Sequence, residues 1–331
     1  MSQACLSLPD ILPLPLPIAI LIDPANACNF RCAFCPTGDL DLLKSIDRPK
    51  GVMDMGLYRR IIDGLADMVA RSGRKLRRIG LYKDGEPLLN KHLPEMVAYA
   101  KQRQVAEAIS ITTNGSLLTR DRAVALLEAG LDDVMVSVEQ VSDVGYRAVT
   151  RIYADYAAII DNVRGLFEEK QRINPAFHLH VKIADTGLSP EERQRFERDF
   201  GPIADSLEIG QLFGWADADH KDFTMGRTPW RDRQARRVCP DPFSKLAINF
   251  DGQVSICCVD WSYGTVVGDL RRETIAQVWN GEALRRVRRL HLMGERDKIP
   301  ACASCHGIMI KDSAQLLGLD ERAEELLRLY E

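Results

Sequence analysis

The sequence lacks a strong charge of either sign and any long hydrophobic run. Its 331 residues carry 44 basic and 47 acidic side chains, with a formal charge of -3 and a pI near 6.1. This balance excludes binding to nucleic acid or anionic lipid that is dominated by charge. No segment approaches the roughly 18 apolar residues of a membrane-spanning helix. The apolar start of the chain contains four prolines and no basic segment before it. We therefore expect no signal peptide or anchor, and a cytoplasmic protein.

Histidine is scarce, and cysteine is absent between residues 36 and 238. The nine cysteines lie on either side of that gap, at Cys5, Cys28, Cys32, Cys35, Cys239, Cys257, Cys258, Cys302 and Cys305. In a reducing compartment, clustered cysteines are more often metal ligands or catalysts than disulfides. The spacing therefore predicts two metal sites.

Short apolar runs alternate with amphipathic stretches between about residues 18 and 215. The strand candidates are Ile18–Asp23, Ile79–Tyr82, Ala108–Thr113, Val134–Val138, His178–Ile183 and Leu207–Leu212. Helix patterns separate them near Met55–Ala70, Leu93–Arg103, Arg120–Ala129, Tyr153–Lys170 and Ser189–Phe200. This alternation predicts an α/β fold with a parallel sheet, either doubly wound or curved into a partial (β/α)6 barrel. Ligands of such folds bind beyond the C-terminal ends of the strands.

The pattern changes near residue 216, where a polar, charged stretch begins. Alternation around Asp251-Gly252 then predicts a β-hairpin within Leu246–Ile256, followed by helices and a cysteine-bearing loop. The expected parts are an N-terminal extension (1–17), the α/β domain (18–215), a bridge (216–238), a small hairpin-and-helix domain (239–310) and a C-terminal helix (311–331).

The first cysteine group follows the first predicted strand, with the spacing Cys28-x3-Cys32-x2-Cys35. Three thiolates on one loop can bind three irons of a [4Fe–4S] cluster and leave the fourth iron open for another ligand. Zinc is the alternative, but it usually requires a second cysteine pair or histidines nearby. No histidine lies within 40 residues of this loop.

This loop resembles the signature of the radical S-adenosylmethionine (SAM) superfamily, and further landmarks follow in order. Asp84-Gly-Glu-Pro87, after the second strand, is similar to the GGEP segment, with aspartate in place of its first glycine. Thr112-Thr-Asn-Gly115 resembles the TNG landmark after the third strand. The resemblance covers most of the chain and favours the partial barrel.

The resemblance implies that SAM chelates the open iron. Gly85 and Glu86 would then accept hydrogen bonds from the methionyl amine. The other implied SAM contacts are Phe34 for the adenine, Asn114, Ser137 and Glu139 for the ribose and carboxylate, and Arg151 for the carboxylate.

The second group, Cys239-x17-Cys257-x44-Cys302-x2-Cys305, supplies four thiolates, and a zinc site is again the alternative. In a radical SAM chain it resembles the auxiliary-cluster domain called SPASM, with Cys239, Gly252 and Cys257 matching its opening motif. Its five cysteines suffice for one [4Fe–4S] cluster, as in the shortened twitch form of the radical SAM dehydrogenases of 2-deoxy-scyllo-inosamine. We expect Cys258 to point away from this cluster.

Four thiolates leave no iron open for substrate, so the second cluster is expected to accept an electron. We therefore expect a radical SAM enzyme that oxidises a secondary alcohol on a small polar substrate, a sugar or an aminocyclitol. Its partners would be this substrate and an external one-electron reductant of the flavodoxin or ferredoxin type, with neither nucleic acid nor membrane. The substrate-pocket candidates are His180, Lys182 and Trp215, and Arg227 or Tyr263 is expected to assist deprotonation of the hydroxyl.

Other functions stay open at this point. A peptide maturase or a redox-neutral epimerase would use the same cofactors, although only about 17 residues precede the first strand where many maturases carry a recognition domain. GTP cyclases of the molybdopterin pathway also carry a twitch domain, but their terminal double glycine is missing here. An iron–sulfur electron carrier or redox sensor is the non-enzymatic alternative, and the Gly-Glu-Pro and Thr-Asn-Gly segments argue against it.

Overall fold

The computed structural model describes residues 7–212, 214–216, 221–227, 236–310 and 318–331. Much of the predicted bridge and the start of the predicted C-terminal helix lie outside these ranges. The strands are β1 (Ala19–Ile22), β2 (Leu76–Gly80), β3 (Ala106–Thr113), β4 (Asp133–Val138), β5 (His178–Ala184), β6 (Ser206–Gly210), β7 (Lys245–Ile248), β8 (Gln253–Ser255) and β9 (Val266–Asp269).

These strands form one sheet in the order β6-β5-β4-β3-β2-β1-β7-β8-β9. The first six strands are parallel, as the sequence predicts, and Ile20 of β1 is in register with Ile79 of β2. Parallel order places the C-terminal ends of β1 to β4 along one edge of the sheet. The α/β prediction, a mainly parallel partial barrel followed by antiparallel strands, is confirmed.

The helices before β7 are α1 (Leu8–Ile11), α2 (Leu40–Ser45), α3 (Met55–Ser72), α4 (Leu93–Arg103), α5 (Arg120–Glu128), α6 (Asp143–Thr150), α7 (Tyr156–Ile173), α8 (Pro190–Phe200) and α9 (Asp241–Ser244). After the strands come α10 (Ile275–Trp279), α11 (Glu282–Met293), α12 (Pro300–Ala303) and α13 (Ala323–Leu327). The capping box at Ser189 is present, with Glu192 N donating to Ser189 Oγ at 3.2 Å. It fixes the start of α8 because it satisfies backbone donors that have no partner within the helix.

The C-terminal hairpin does not form a sheet of its own. β7 pairs in parallel with β1, so Ile20 lies between Ile79 and Leu246, and β8 and β9 continue the sheet in antiparallel order. The turn from β7 to β8 contains Gly252 at φ +89°, a left-handed conformation that glycine adopts without steric cost. The hairpin prediction is confirmed, and its addition to the main sheet is a feature that the sequence did not predict.

The end of the chain packs against its start. Leu8 and Leu12 contact a second, smaller core that includes Phe243, Leu326 and Tyr330. The C-terminal helix is shorter than predicted: within residues 318–331 only α13 is helical, and the predicted residues 311–317 lie outside the described part. No helix in the described ranges is both long enough and apolar enough to cross a membrane.

Candidate active site

The loop that follows β1 carries the first three thiols. It folds back on itself, since Cys35 N donates to Cys32 O at 3.1 Å and Gly38 N donates to Cys35 O at 3.0 Å. A Cβ on Gly38 would lie 2.4 Å from Cys32 O, so this turn requires glycine. Cys28, Cys32 and Cys35 all line one cavity of about 430 Å³ at the C-terminal edge of the sheet. Burial raises the pKa of Cys28 to about 12, so a metal must displace its proton on binding.

The segment after β2 packs directly on the cysteine loop. Glu86 N donates to Ala27 O at 2.9 Å, which aligns the two segments. A Cβ on Gly85 would lie 2.1 Å from Ala25 O and 2.2 Å from Ala27 O. Only glycine fits this close approach, and this explains the Gly-Glu-Pro pattern in terms of packing.

The Glu86 carboxylate joins the segments that follow β2 and β3. It accepts hydrogen bonds from Thr113 Oγ1 at 2.7 Å, Asn114 N at 2.8 Å and Leu88 N at 3.0 Å. Burial raises its pKa, and these donors lower it in part. Glu86 therefore positions the Thr-Asn-Gly segment as well as lining the cavity. Its predicted contact with the SAM amine remains a prediction.

Asn114 connects this segment to the cysteine loop. Its Nδ2 donates to Asn29 Oδ1 at 2.8 Å and lies 3.8 Å from Cys28 Sγ, while its Oδ1 accepts from Ser116 N at 3.0 Å. Asn114 therefore holds the loop at the first thiol.

Three more of the predicted SAM contacts line the same cavity: Phe34, Ser137 and Glu139. Burial, followed by the nearby charge of Glu86, raises the pKa of Glu139 to about 8. A protonated carboxyl at neutral pH can donate one hydrogen bond and accept another, which suits a ribose hydroxyl. Arg151 is not among the residues that line the cavity; it is exposed at the C-terminal cap of α6 with φ +57°, next to Thr150, whose backbone O accepts from Arg31 N of the cysteine loop at 3.0 Å. Its predicted contact with the SAM carboxylate remains a prediction.

The predicted substrate residues fall in different places. Lys182 and Trp215 line the cavity, and Trp215 Nε1 donates to Phe34 O at 3.1 Å. His180 contacts Ser206 Oγ at 2.8 Å and Glu208 Oε2 at 3.3 Å, on the side of the strands nearer their start. Its place in the substrate pocket remains a prediction.

The two residues expected to assist deprotonation are also separated. Arg227 lies against Gly187, where its guanidinium occupies the space of a Cβ. Tyr263 lies near the start of the cysteine loop, where its hydroxyl accepts a hydrogen bond from Asn26 Nδ2 at 3.1 Å. Burial raises the pKa of Tyr263, so it stays a phenol at neutral pH. Neither geometry favours a general base.

The second group of thiols surrounds a separate, smaller cavity. Cys239, Cys257, Cys302 and Cys305 line it together with His291 and Arg296. Among the described residues, no three His, Cys, Asp or Glu side chains converge on one point as the ligands of a single metal ion do. Three thiols around one cavity and four around the other fit the donor sets of two [4Fe–4S] clusters, the first with an open iron.

The neighbours Cys257 and Cys258 face different cavities. Cys257 lines the second thiol site, and Cys258 lines the large cavity beside Tyr82. The expectation that Cys258 points away from the second cluster therefore agrees with the structure. Its position in the large cavity was not predicted, because alternation gives the direction of a side chain but not what lies there.

A buried ion-pair network was also missed. Asp84 Oδ2 lies 2.6 Å from Arg48 Nη2 and 2.6 Å from Lys83 Nζ, and Lys83 Nζ also donates to Asp260 O at 3.1 Å. One signal of this network was present in the sequence, namely the aspartate in place of the first glycine of the GGEP-like segment.

The fold and the two sets of thiols define an iron–sulfur protein of the kind that binds SAM. Residues 22–192 match the radical SAM superfamily, and residues 239–306 match the iron–sulfur cluster-binding domain called SPASM. The chain belongs to the radical SAM superfamily. Its cofactors are SAM and two [4Fe–4S] clusters.

Curated relatives of two kinds are similar to this chain. A GTP 3',8-cyclase of Mycobacterium marinum is 40% identical over 127 residues, which cover 38% of this chain and 32% of the cyclase. The chain thus spans about a third of the length of the first cyclases that it matches. The SAM-dependent 2-deoxy-scyllo-inosamine dehydrogenase of Niallia circulans is 22% identical over 298 residues, which cover 89% of this chain and 95% of the dehydrogenase.

Solved structures share the fold. The alignment with BtrN in complex with AdoMet and 2-DOIA covers 91% of this chain and 97% of the BtrN chain, with a TM-score of 0.57 and 18% identity. The alignment with SuiB of Streptococcus suis bound to precursor peptide SuiA covers 82% of this chain and 66% of the SuiB chain, with a TM-score of 0.63 and 12% identity. At such low identity the likeness concerns the fold alone.

Proposed function

We propose that this protein is an oxidoreductase that converts a secondary alcohol of a small polar metabolite, a sugar or an aminocyclitol, into a ketone. The observation that carries this proposal is the position of Cys257 and Cys258 between the two thiol sites. One peptide bond separates a ligand of the second cluster from the wall of the cavity where the radical is formed. An electron that leaves a substrate in this cavity has a short path to the second site.

When bound, the first cluster and SAM supply a 5′-deoxyadenosyl radical that removes the carbinol hydrogen, and the second cluster supplies an acceptor for the remaining electron. When that cluster is bound, the four thiols of the second site would each hold one iron, which would leave no iron open to substrate. The hydroxyl proton passes to a base, and the products are a ketone, methionine and 5′-deoxyadenosine. The reaction consumes one SAM and needs one electron from an external reductant, for which a flavodoxin or ferredoxin is the candidate.

The cavity also offers side-chain donors to a small, polar substrate. Lys182 and Lys245 line it, and each lysine is paired with a carboxylate, Glu208 at 3.0 Å and Asp241 at 3.4 Å. The two ammonium groups are donors for the hydroxyl groups of a sugar or an aminocyclitol.

The extent of the similarity to known proteins also supports the proposed oxidation of an alcohol. The match to the dehydrogenase spans 95% of it, whereas the matches to the cyclases span from 32% to 64% of them. The 40% identity to the Mycobacterium marinum cyclase still makes GTP the second candidate substrate. A peptide maturase, an epimerase and an electron carrier are the remaining alternatives.

The test uses anaerobically reconstituted, full-length protein. We expect about eight irons, in agreement with two cubane clusters. Dithionite should then drive 5′-deoxyadenosine release with 2-deoxy-scyllo-inosamine or related aminocyclitols, and a ketone should form in equal amount. GTP, polyols and peptides are offered in parallel. Release and a cyclised nucleotide with GTP would overturn the proposal, as would the absence of SAM cleavage with every substrate.

Two cysteine variants separate the roles of the clusters. Cys28→Ala should abolish 5′-deoxyadenosine release, because it removes one of three ligands of the first cluster. Cys239→Ala should spare release and block ketone formation, because it disrupts only the second site. Unchanged ketone formation by Cys239→Ala would contradict the role of the second cluster as electron acceptor.

A further inference from the structure

A histidine that the sequence analysis did not single out lies in the second thiol site. His291 is on α11, is 1% exposed and lines the cavity with the four thiols. It precedes Cys302 by 11 residues and follows Cys239 by 52, so no short spacing motif connects it to them. The fold alone brings these residues together.

The imidazole contacts two segments that each supply a thiol. Cys239 N donates to His291 Nδ1 at 3.5 Å, and His291 Nε2 lies 3.6 Å from Cys302 Sγ. A neutral imidazole carries one N–H and one acceptor nitrogen. Because Nδ1 accepts from the backbone, the proton lies on Nε2, where it is directed at the sulfur of Cys302.

The surrounding groups fix this geometry. Arg296 Nη1 donates to Cys302 O at 3.0 Å and to Cys305 O at 3.3 Å, which holds the Cys302–Cys305 turn in place. Gly307 N donates to Cys305 Sγ at 3.2 Å. Of the thiol contacts in this cavity, the one from His291 comes from the side chain of another helix, so a substitution can remove it without changing the backbone.

We propose that His291 is a positioning residue that donates an Nε2–H···S hydrogen bond to the Cys302 thiolate and raises the reduction potential of the second cluster. A donor to a cluster sulfur stabilises the reduced state more than the oxidised state, because the reduced state carries more negative charge on its sulfurs. The higher potential makes the cluster a better electron acceptor. That consequence rests on the proposed oxidation of an alcohol, whereas the hydrogen bond itself does not.

The test measures the reduction potential of the second cluster in the full-length chain. The cysteines of the first cluster are replaced by alanine in all samples, so that one cluster contributes to the EPR-monitored titration. His291→Leu removes the donor, and His291→Gln retains an N–H donor. We expect His291→Leu to lower the midpoint potential by about 59 mV, a tenfold change in the one-electron equilibrium constant. His291→Gln should restore at least half of that shift.

Two outcomes would overturn the proposal. One is a His291→Leu protein that holds about four irons at an unchanged potential. The other is loss of iron from both variants alike, which would make His291 a ligand and not a donor. If the potential is unchanged in His291→Leu and the wild-type protein forms a ketone, the inference about His291 is wrong and the proposed function is supported. If the potential shifts and no alcohol is oxidised, the hydrogen bond is supported and the proposed function is wrong.

A second measurement does not depend on the folding of the leucine variant. In protein labelled with ¹⁵N-histidine, pulsed EPR of the reduced second cluster should detect a weak nitrogen coupling that disappears in His291→Gln. Absence of this coupling, or a coupling as strong as that of a nitrogen bound to iron, would contradict the hydrogen bond.

Discussion

At the scale of the residue, Gly85 shows how closely the site is packed. A methyl group there would lie 2.1 Å from Ala25 O, so Gly85→Ala forces the cysteine loop and the segment after β2 apart. We expect a loss of about 1–3 kcal/mol in the free energy of unfolding, and weaker SAM binding. Denaturant unfolding and SAM titration under anaerobic conditions measure both.

Gly165→Ala is the matched control for that substitution. Gly165 lies inside α7, and the nearest atoms to its Cβ position are 3.9 Å away. Alanine is the better helix former by roughly 1 kcal/mol, so this variant should be as stable as the wild type or more so. Wild-type stability and SAM affinity in Gly85→Ala would show that the loop can move.

Glu139 predicts a pH dependence of stability. Burial and the charge of Glu86 raise its pKa from 4.5 to about 8 in the folded protein. As pH rises above about 4.5, the unfolded chain releases this proton first, so stability is lost until pH reaches about 8. The loss is on the order of a few kcal/mol, at about 1.4 kcal/mol for each unit of pKa.

Glu139→Gln should remove that dependence. Unfolding of the metal-free protein between pH 5 and pH 8.5 should therefore give a flatter profile for the variant, with the largest gain over wild type near pH 8. Glu107→Gln, at an exposed position, is the control. Profiles that run parallel for wild type and Glu139→Gln would contradict the buried, protonated state.

The cysteine groups and the motif residues around the first of them could be predicted from the sequence, whereas His291 and the ion pairs of Asp84 could not. Cys28, Cys32 and Cys35 share one loop, so their spacing is itself the signal. His291 meets Cys302 and Cys239 across 11 and 52 residues, and Asp84 meets Arg48 across 36. Only tertiary packing decides such contacts.

At the scale of the element, strands were easier to predict than their pairing. The alternation around Gly252 located the hairpin, because it depends on local turn geometry. The pairing of β7 with β1 joins residues more than 200 positions apart, such as Ile20 and Leu246, and nothing local specifies it. The predicted C-terminal helix was too long, because the apolar pattern in the sequence continues through turns such as the one at Gly318.

Gly252 also allows the hairpin to be tested. At φ +89°, an alanine side chain is strained by roughly 1–2 kcal/mol, and its Cβ would be 3.3 Å from Leu57 and Arg271. The hairpin carries the chain to Cys257, so Gly252→Ala should lower both the stability and the iron content of the second site. Urea unfolding and iron analysis after reconstitution measure these effects.

Gly73→Ala is the control that separates the effect of backbone strain from the effect of a position in the hairpin. Gly73 caps α3 at φ +66° with no atom within 4 Å of a Cβ, and it lies outside both thiol sites. It should lose a similar amount of stability and retain the full iron content. Equal iron loss in both variants would mean that the second site responds to global stability and not to the hairpin.

At the scale of the whole molecule, a buried charge network joins the barrel to its C-terminal extension. Asp84 is paired with Arg48 and Lys83, all with side chains at most 2% exposed, and Lys83 also reaches Asp260 O. Removing one member of a buried ion pair leaves an uncompensated charge and costs about 3–5 kcal/mol. We expect Asp84→Asn to lose stability in that range, whereas Glu95→Gln, in an exposed pair with Arg59, should lose under about 1 kcal/mol.

A second buried carboxyl, that of Asp23, allows the coupling within this charge network to be tested. Burial, followed by the charge of Asp84, raises the pKa of Asp23, whereas the charges of Lys83 and Arg48 lower it. Once Asp84 is neutralised, Asp23 loses a like charge and ionises more readily, so it compensates for part of the missing carboxylate. Asp23→Asn in the Asp84→Asn background removes this compensating charge. The double variant should therefore lose more free energy of unfolding than the sum of the losses of the two single variants. Additive losses in a denaturant double-mutant cycle would mean that Asp23 stays neutral throughout and that Asp84 alone balances the two buried cations.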